Sequence, residues 1–340
     1  MKIAVIGAGA VGSVIGGLLA RAGEDVTLIG RKPQVDAINT HGLLIDGALG
    51  EMRVPVAARE RLDFSPDLAL LGVKIQDIEA TIRDAQPHIA SSLILTLQNG
   101  VRADDLLAGL ADKANILSGV VVFGAIYLEP GKVTYSPAGR LVIGNPFGPI
   151  TANVREVAET LNKGLPTHVS DDIRGAHWTK LIINENNALP AITGLSLQRV
   201  NTYPQLRRLS VLLMREAVNT MTASGISLGQ FPGVSTNLIK ILLRTPMPVA
   251  SALPRLLSRA MGETPFLGST LQSLKRAKST EIDYLNGEIV ALGKQIGRAT
   301  LYNTTVVNLV HQVEATGEFL SVDEVAAAVA QASHAPAHSS

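Results

Sequence analysis

The feature that most constrains the fold is a glycine pattern that begins at the seventh residue. The β-branched run Lys2–Ile6 precedes the pattern, a helix-like segment follows it, and Gly23 leads into a second apolar run, Asp25–Ile29. A strand, a glycine-rich turn, a helix and a second strand together make the βαβ unit that binds dinucleotides. We therefore predict a phosphate-binding loop at Gly7, Ala8, Gly9, Ala10, Val11 and Gly12.

Each glycine of the loop has a distinct role in such a site. Gly7 permits the tight turn, Gly9 lets a pyrophosphate approach the backbone, and Gly12 allows the helix to pack closely on the strand. The first N–H groups of the helix supply hydrogen-bond donors to the anion. The alternative is a glycine-rich turn that binds no ligand.

The end of the second strand indicates which dinucleotide the loop binds. An NAD site usually has an acidic residue there for the ribose hydroxyls, but this strand ends Leu28-Ile29-Gly30-Arg31-Lys32. An Arg side chain suits the 2′-phosphate of NADP(H). We therefore predict NADPH/NADP as the cofactor, with Arg31 as its 2′-phosphate ligand. In the alternative, Arg31 and Lys32 are only solvated charges where the strand leaves the sheet.

Strand and helix patterns alternate through the first half of the chain. Continuous apolar runs at Leu68–Val73, Leu93–Leu97 and Ile116–Phe123 favour parallel strands covered on both faces. The sequence thus predicts the α/β class with a doubly wound parallel sheet. The runs Val133–Tyr135 and Leu141–Ile143 are interpreted as a hairpin or an edge pair.

Beyond Arg174 the strand patterns become scarce and helical periodicities dominate. We predict a mostly helical second domain, and its segment 226–268 could not be placed in the fold. The predicted organisation is a dinucleotide-binding domain at 1–170, a helical substrate and catalytic domain at 171–333, and a frayed tail at 334–340.

Composition excludes several classes of function. The 340 residues include no cysteine, which excludes disulfide scaffolds, thiolate metal sites and a cysteine nucleophile, and no metal site is predicted. A net charge of +1 offers no broad basic surface for nucleic acid or an anionic membrane. The most apolar run, Ile116–Leu128, is too short to span a bilayer. With no secretion signal evident, a cytoplasmic protein with a small-molecule ligand is predicted.

Two segments of the second domain carry candidate catalytic groups. Lys180, Asn184 and Asn187 recur at i, i+4 and i+7, which would place an ammonium and two amides on one helix face. The alternative is a surface stripe along which Lys180 extends to solvent. Glu281 lies at the edge of an apolar helical pattern, where a solvated carboxylate is the simpler interpretation.

At these residues the chain resembles the ketopantoate reductases, also called 2-dehydropantoate 2-reductases. The resemblance covers nearly the whole chain. The matching motifs are GAGAVG at 7–12, Gly72–Lys74, Leu97–Val101, Trp178–Leu181 and Thr280–Gly287. It implies an N-terminal Rossmann-type domain, a helical C-terminal domain and an active site in a cleft between them. It also implies NADPH-dependent reduction of 2-dehydropantoate to (R)-pantoate, a step toward pantothenate and coenzyme A.

The resemblance also implies roles for individual residues. Lys180 corresponds to the catalytic lysine, the general acid that protonates the carbonyl oxygen. Glu281 corresponds to a glutamate that helps to place the substrate or the cofactor, and Ser269 to a substrate-binding serine. Lys74 and Asn99 correspond to residues that bind the nicotinamide ribose and nearby groups, so that Asn99 is a candidate for both cofactor and substrate. Asn184 and Asn187 correspond to the two substrate-binding asparagines.

Three departures from the family pattern concern the substrate. The second asparagine stands seven rather than eight residues after Lys180, Ser273 replaces a common aspartate, and the segment 226–268 is longer than usual. The alternatives are therefore reduction of another 2-oxo acid or an imine on the same fold, or a non-catalytic NADP(H)-binding sensor. Few charges and the apolar segment 238–257 favour a homodimer.

Overall fold

The computed structural model describes residues 1–260 and 265–334. Contacts divide the chain into a first unit, Met1–His177, and a second unit that begins at Trp178. The domain limits 1–170 and 171–333 stay predictions. The tail predicted at 334–340 lies outside the described residues except for His334, which ends a helix.

The first unit is built on strands. They are β1 (Lys2–Ile6), β2 (Asp25–Ile29), β3 (Leu43–Gly47), β4 (Met52–Val54), β5 (Ala57–Arg59), β6 (Leu68–Leu71), β7 (Leu93–Thr96), β8 (Ile116–Val122), β9 (Ala125–Glu129), β10 (Lys132–Tyr135), β11 (Arg140–Gly144) and β12 (Thr167–Val169). Eight of them form one sheet in the order β12-β11-β8-β7-β6-β1-β2-β5. From β8 to β5 neighbouring strands run parallel, while β11 is antiparallel to β8.

Helices alternate with these strands along the chain. They are α1 (Ala10–Arg21), α2 (Lys32–His41), α3 (Ile78–Ile89), α4 (Ala103–Ala108), α5 (Ala152–Asn162) and α6 (Ile173–Asn184), and short 3-10 turns cover Ile75–Asp77 and Lys113–Asn115. Every residue of β6 is buried, as expected for a sheet with both faces covered. The predicted α/β class, with a Rossmann-type parallel sheet, is confirmed.

The order of strands creates a switch point between β1 and β6. From β1 the chain continues to β2 on one side, and it later returns to β6 on the other side and proceeds outward through β7 and β8. In open α/β sheets the crevice at such a point, beyond the carboxyl ends of the strands, is where ligands bind.

The predicted pairing of Val133–Tyr135 with Leu141–Ile143 is wrong. Val133–Tyr135 belongs to β10, which joins β4, β3 and β9 in a separate four-stranded sheet. Leu141–Ile143 belongs to β11, an outer strand of the main sheet. Closeness in sequence favours a hairpin, but each run finds its hydrogen-bonding partner in a different sheet.

The second unit is helical, as predicted. After a 3-10 turn at Glu185–Asn187 come α7 (Ala188–Thr193), α8 (Leu197–Val200), α9 (Pro204–Ala223), α10 (Thr236–Arg244), α11 (Met247–Ala250), α12 (Leu253–Ala260), α13 (Gly268–Lys275), a 3-10 turn at Ile282–Tyr284, α14 (Asn286–Gln295), α15 (Leu301–Thr316) and α16 (Val322–His334). Its core joins Leu206 and Leu213 of α9 to Val306 and Val310 of α15. None of the described helices is long and apolar enough to cross a membrane.

Candidate functional site

The glycine loop between β1 and α1 is shaped by close backbone approaches. Gly7 has φ +108°, and a Cβ atom there would lie 2.6 Å from the backbone nitrogen of Val73. A Cβ on Gly12 would clash with the carbonyl oxygen of Gly7, whereas one on Gly9 would meet nothing within 4 Å. Gly7 and Gly12 are thus required by packing inside the protein, while Gly9 faces open space. This distribution fits a loop whose middle is approached by a ligand.

The amides at the start of α1 are the donors that the loop can offer to an anion. The N–H groups of Gly7 and Ala8 both donate to the carbonyl of Ile29, at 2.9 Å. The intrahelical ladder of α1 includes the bond from Ser13 N–H to Gly9 O, also 2.9 Å. Of the four amides between Ala8 and Ser13, those of Ala10, Val11 and Gly12 belong to the first turn of α1, where helix geometry leaves N–H groups without intrahelical acceptors. The helix dipole favours negative charge at this end.

The carboxyl ends of β6 and β7 bring two predicted cofactor residues to neighbouring positions. Lys74 begins the turn after β6, Asn99 follows β7, and both are half-buried. The buried Gln98 ties the two strand ends together, since its Nε2 donates to the carbonyls of Leu71 and Val73, each at 2.9 Å. This crosslink fixes the backbone from which Lys74 and Asn99 project.

Arg31 stands at the start of α2, two residues beyond β2, with its side chain exposed. Among the described residues its guanidinium makes no ion pair, whereas the neighbouring Lys32 lies 3.2 Å from Asp36 and 3.9 Å from Glu60. Arg31 is therefore the cation at this strand end that remains available to a phosphate group.

Lys180 lies in the last two turns of α6, where its ammonium is affected by burial and by a carboxylate. Burial lowers the pKa of Lys180 to about 8, and the nearby Glu281 opposes that shift. Part of the Lys180 surface stays accessible to solvent. A lysine with this pKa can release its proton near neutral pH, as a general acid must.

Lys180, Asn184 and Asn187 do not lie on the one continuous α-helix that their spacing predicted. α6 ends at Asn184, and Glu185–Asn187 form a 3-10 turn before α7 begins. Asn side chains favour turns over helix interiors, and a 3-10 turn has about 3.0 residues per turn, so the α-helical spacing rule does not apply.

Asn187 is instead set beside the N-terminus of α13. Its Oδ1 lies so close to Gly268 that a Cβ at that glycine would be 2.9 Å away, and Gly268 has φ +66°. Ser269 is the next residue and is exposed. The turn thus brings Asn187 next to Ser269, a second predicted substrate residue, 82 positions further along the chain.

Glu281 lies outside any helix, which corrects its expected position on a helix edge. It has φ −108° and ψ 26° and immediately precedes the 3-10 turn Ile282–Tyr284. Its side chain is half-buried, while the apolar residues Ile282, Leu285 and Ile289 of the same segment are buried as expected.

A pair of neighbouring acids, the buried Glu185 and the half-buried Glu216, was not recognised from the sequence. Glu185 is fully buried, its carboxylate oxygens make no hydrogen bond among the described residues, and its pKa is raised well above the usual value by burial and by Glu216. Glu216 accepts hydrogen bonds from the backbone of Tyr302 and Asn303, at 3.0 and 2.7 Å. The sequence feature that could have indicated this pair is the position of Glu185 within an apolar and amide-rich stretch. In the described ranges no group of three or more His, Asp or Glu residues could hold a metal ion.

Family models match both units of the chain. The model described as "Ketopantoate reductase PanE/ApbA" matches residues 3–147, and "Ketopantoate reductase PanE/ApbA C terminal" matches residues 172–314. The first match contains the glycine loop, Arg31, Lys74 and Asn99. The second contains Lys180, both asparagines, Ser269 and Glu281.

Whole-chain relatives agree with the family models. A 2-dehydropantoate 2-reductase of Pyrococcus horikoshii is 31% identical over 322 residues, which cover 93% of this chain and 99% of the relative. The crystal structure of a PanE/ApbA family ketopantoate reductase from Ralstonia eutropha JMP134 is 33% identical, with a TM-score of 0.77 and coverage of 93% and 99%. D-mandelate dehydrogenase, solved with NADH and anilino(oxo)acetate, is 26% identical with a TM-score of 0.80 and the same coverage.

Proposed function

The chain belongs to the ketopantoate reductase family, and on that premise we propose that it reduces the ketone of 2-dehydropantoate to (R)-pantoate with NADPH. Its class is that of an oxidoreductase acting on a CH–OH/C=O group. The proposed product places it in pantothenate biosynthesis and favours the cytoplasm as its compartment.

The proposed mechanism divides the work between the two sets of residues. The first-turn amides of α1 and Arg31 bind the phosphates of the dinucleotide, with Lys74 and Asn99 holding its ribose. The bound dinucleotide supplies the hydride that adds to the carbonyl carbon. The Lys180 ammonium stabilises the negative charge that develops on the carbonyl oxygen and donates the proton that makes it a hydroxyl. Asn184, Asn187, Ser269 and Glu281 orient the substrate.

The observation that carries the proposal is the environment of Lys180. Its pKa of about 8 leaves it mostly protonated at neutral pH yet makes it a stronger acid than an ordinary lysine. Glu281 acts on the same ammonium, and both residues fall in the region that matches the family's C-terminal model.

The test is NADPH oxidation on addition of 2-dehydropantoate, with wild type, Lys180→Ala and Lys278→Ala compared. Lys278 is an exposed lysine of the same unit and serves as the matched control. Wild type and Lys278→Ala should turn over with a rate that saturates in substrate, and Lys180→Ala should lose turnover while its Kd for NADPH stays nearly unchanged. Loss of NADPH affinity in Lys180→Ala, or turnover equal to wild type, would contradict the assigned role.

A second candidate is the reduction of another 2-oxo acid. The shorter interval from Lys180 to Asn187, together with the similarity to D-mandelate dehydrogenase, supports it. Comparing kcat/KM for 2-dehydropantoate with that for aryl and alkyl 2-oxo acids distinguishes the two. A higher kcat/KM for one of the other acids would replace the leading substrate.

Cofactor choice and assembly are further parts of the proposal. The exposed Arg31 supports NADPH, although D-mandelate dehydrogenase was solved with NADH. Large exposed aliphatic side chains in the segment 238–257 support a homodimer: Leu238, Ile241, Val249 and Leu256.

A further inference from the structure

A hydrogen-bonded chain centred on His311 lies on the surface of α15. Nδ1 of His311 is 2.7 Å from Oε2 of Glu314, and Nε2 is 3.0 Å from Oδ1 of Asp283. The other oxygen of Glu314 accepts a hydrogen bond of 2.7 Å from the backbone N–H of Thr280. His311 and Glu314 belong to α15, whereas Thr280 and Asp283 belong to the segment that carries Glu281.

The positions of the protons on the His311 ring follow from its two acceptors, the carboxylates of Glu314 and Asp283. A carboxylate can only accept hydrogen bonds, so each ring nitrogen of His311 that contacts one must donate. Both contacts are therefore made at once only by the doubly protonated, cationic ring. Burial lowers the pKa of His311, but the bonds to Glu314 and Asp283 outweigh it, and the pKa is raised overall. Among the described residues, Glu314 on α15 and Asp283 on the facing turn are the ionisable groups that shift it; α7, α9, α14 and α16 contribute none.

Glu281 lies between the two residues, Thr280 and Asp283, through which the hydrogen bonds of Glu314 and His311 hold the Thr280–Asp283 segment. Thr280 precedes Glu281 and is bonded to Glu314, and Asp283 follows it and is bonded to His311. The preceding stretch from Lys275 to Ser279 is exposed, and Ala277 in it has φ +50°. Glu281 thus lies outside any helix, and the described side-chain hydrogen bonds that hold its neighbours Thr280 and Asp283 come from α15.

We propose that His311 is a positioning residue for Glu281: by bridging Glu314 and Asp283 it fixes the Thr280–Asp283 segment on α15 and so holds the Glu281 carboxylate beside Lys180. His311 does not touch the reacting groups and acts through Glu281. Loss of the Nε2 proton opens the contact with Asp283 and frees that end of the segment. Loss of the Nδ1 proton opens the contact with Glu314, which then holds Thr280 without the support of His311.

The first test needs no turnover. Wild type, His311→Leu and Gln312→Leu are labelled with a small acylating reagent over a pH series, and modification of Lys180 is followed by peptide mass spectrometry. Gln312 is the next exposed residue of α15 and provides the matched control. Because Glu281 raises the pKa of Lys180, the labelling midpoint should fall in His311→Leu and stay unchanged in Gln312→Leu. An unchanged midpoint in His311→Leu overturns the proposal.

The second test is kinetic and rests on the proposed function. His311→Leu should raise KM for the 2-oxo acid about tenfold, the effect of losing a hydrogen bond to a charged group, with a smaller change in kcat and none in the Kd for NADPH. In a Glu281→Gln background the same substitution should change KM little, because the residue through which it acts is already altered. Equal effects in both backgrounds overturn the proposal.

The pH dependence of KM separates positioning from a general structural role. Wild-type KM should rise with pH as His311 loses its proton, whereas KM of His311→Leu should be high and flat over that range. The same pH dependence in both proteins counts against the proposal. If no 2-oxo acid turns over, the proposed function fails, and the labelling experiment still decides the role of His311.

Discussion

The acidity of one ammonium sets the expected pH dependence of the reaction. Burial lowers the pKa of Lys180 to about 8 against the opposing effect of Glu281, and ketone reduction uses the protonated form. We therefore expect kcat, which depends little on His311, to be level below pH 8 and to fall about tenfold for each further pH unit. Rates across this pH range, at saturating NADPH and 2-oxo acid, measure the midpoint.

The control for this prediction is Glu281→Gln, which removes the carboxylate and keeps the shape. Since Glu281 favours the charged lysine, its loss should lower the pKa of Lys180 and move the midpoint to lower pH. A midpoint that stays in place, or moves upward, would show that another group limits the rate.

The choice of cofactor also depends on one residue. Arg31→Asp should reduce NADPH affinity about tenfold or more, because a charge-assisted hydrogen bond to the 2′-phosphate is lost and a repulsion is added, while NADH affinity is kept. The charge-matched control is Lys32→Asp, since Lys32 already pairs with Asp36 and Glu60. Fluorescence titrations with both dinucleotides measure the two affinities. Equal losses in the two variants would indicate general electrostatic attraction rather than a contact from Arg31.

At the scale of elements, the turn from β1 into α1 needs glycine for two different reasons: Gly12 for packing within the protein and Gly9 for the approach of a ligand. In Gly12→Ala the new methyl group clashes with the Gly7 carbonyl, so we expect a loss of about 1–3 kcal/mol in the free energy of unfolding. In Gly9→Ala the methyl group meets no protein atom within 4 Å, so stability should stay close to that of wild type while dinucleotide affinity falls. Thermal or denaturant unfolding without cofactor, followed by dinucleotide titration, measures both quantities.

The two glycine variants serve as controls for each other. If Gly9→Ala bound the dinucleotide as tightly as wild type does, the open space at Gly9 would not be the path of the pyrophosphate. If Gly12→Ala were as stable as wild type, α1 could move away from the β1 loop at no cost.

Local patterns predicted the strands and helices better than their pairing. Buried parallel strands such as β6 are continuous apolar runs, and the glycine loop fixes the first βαβ unit, so both could be recognised from the sequence. The pairing of β10 and β11 could not, because either run could form an antiparallel pair with several neighbouring strands. β10 pairs with β9 just before it and with the distant β3, whereas β11 pairs with β8 and β12 in the other sheet.

In the candidate site, likewise, the sequence indicated which residues take part but not how the backbone arranges them. Lys180 and Glu281 were identified by their motifs, and the structure brings the two side chains within electrostatic reach. Helical periodicity could not show that α6 stops at Asn184 or that Asn187 lies against Gly268, since a 3-10 turn changes the period. His311 was missed because the pattern of α15 gives no sign of which segment faces it.

For the whole molecule, the distribution of exposed apolar surface bears on assembly. Ile239 of α10 is buried, while Leu238 and Ile241 of the same helix are 49% and 62% exposed, so α10 carries apolar side chains on its buried side and on its exposed side. Val249 and Leu256, in the two following helices, are 63% and 58% exposed. Apolar groups clustered on a surface are typical of an interface rather than of a face that stays in water.

We expect the chain to form a homodimer through this surface, and Ile241→Glu to shift it to the monomer because a carboxylate would be buried against apolar groups. Sedimentation velocity over a concentration series measures the equilibrium. Leu106→Glu is the matched control, since Leu106 is 45% exposed and lies in the first unit, outside the segment 238–257. A wild-type monomer at every concentration, or a dimer that both variants weaken equally, would exclude this surface as the interface.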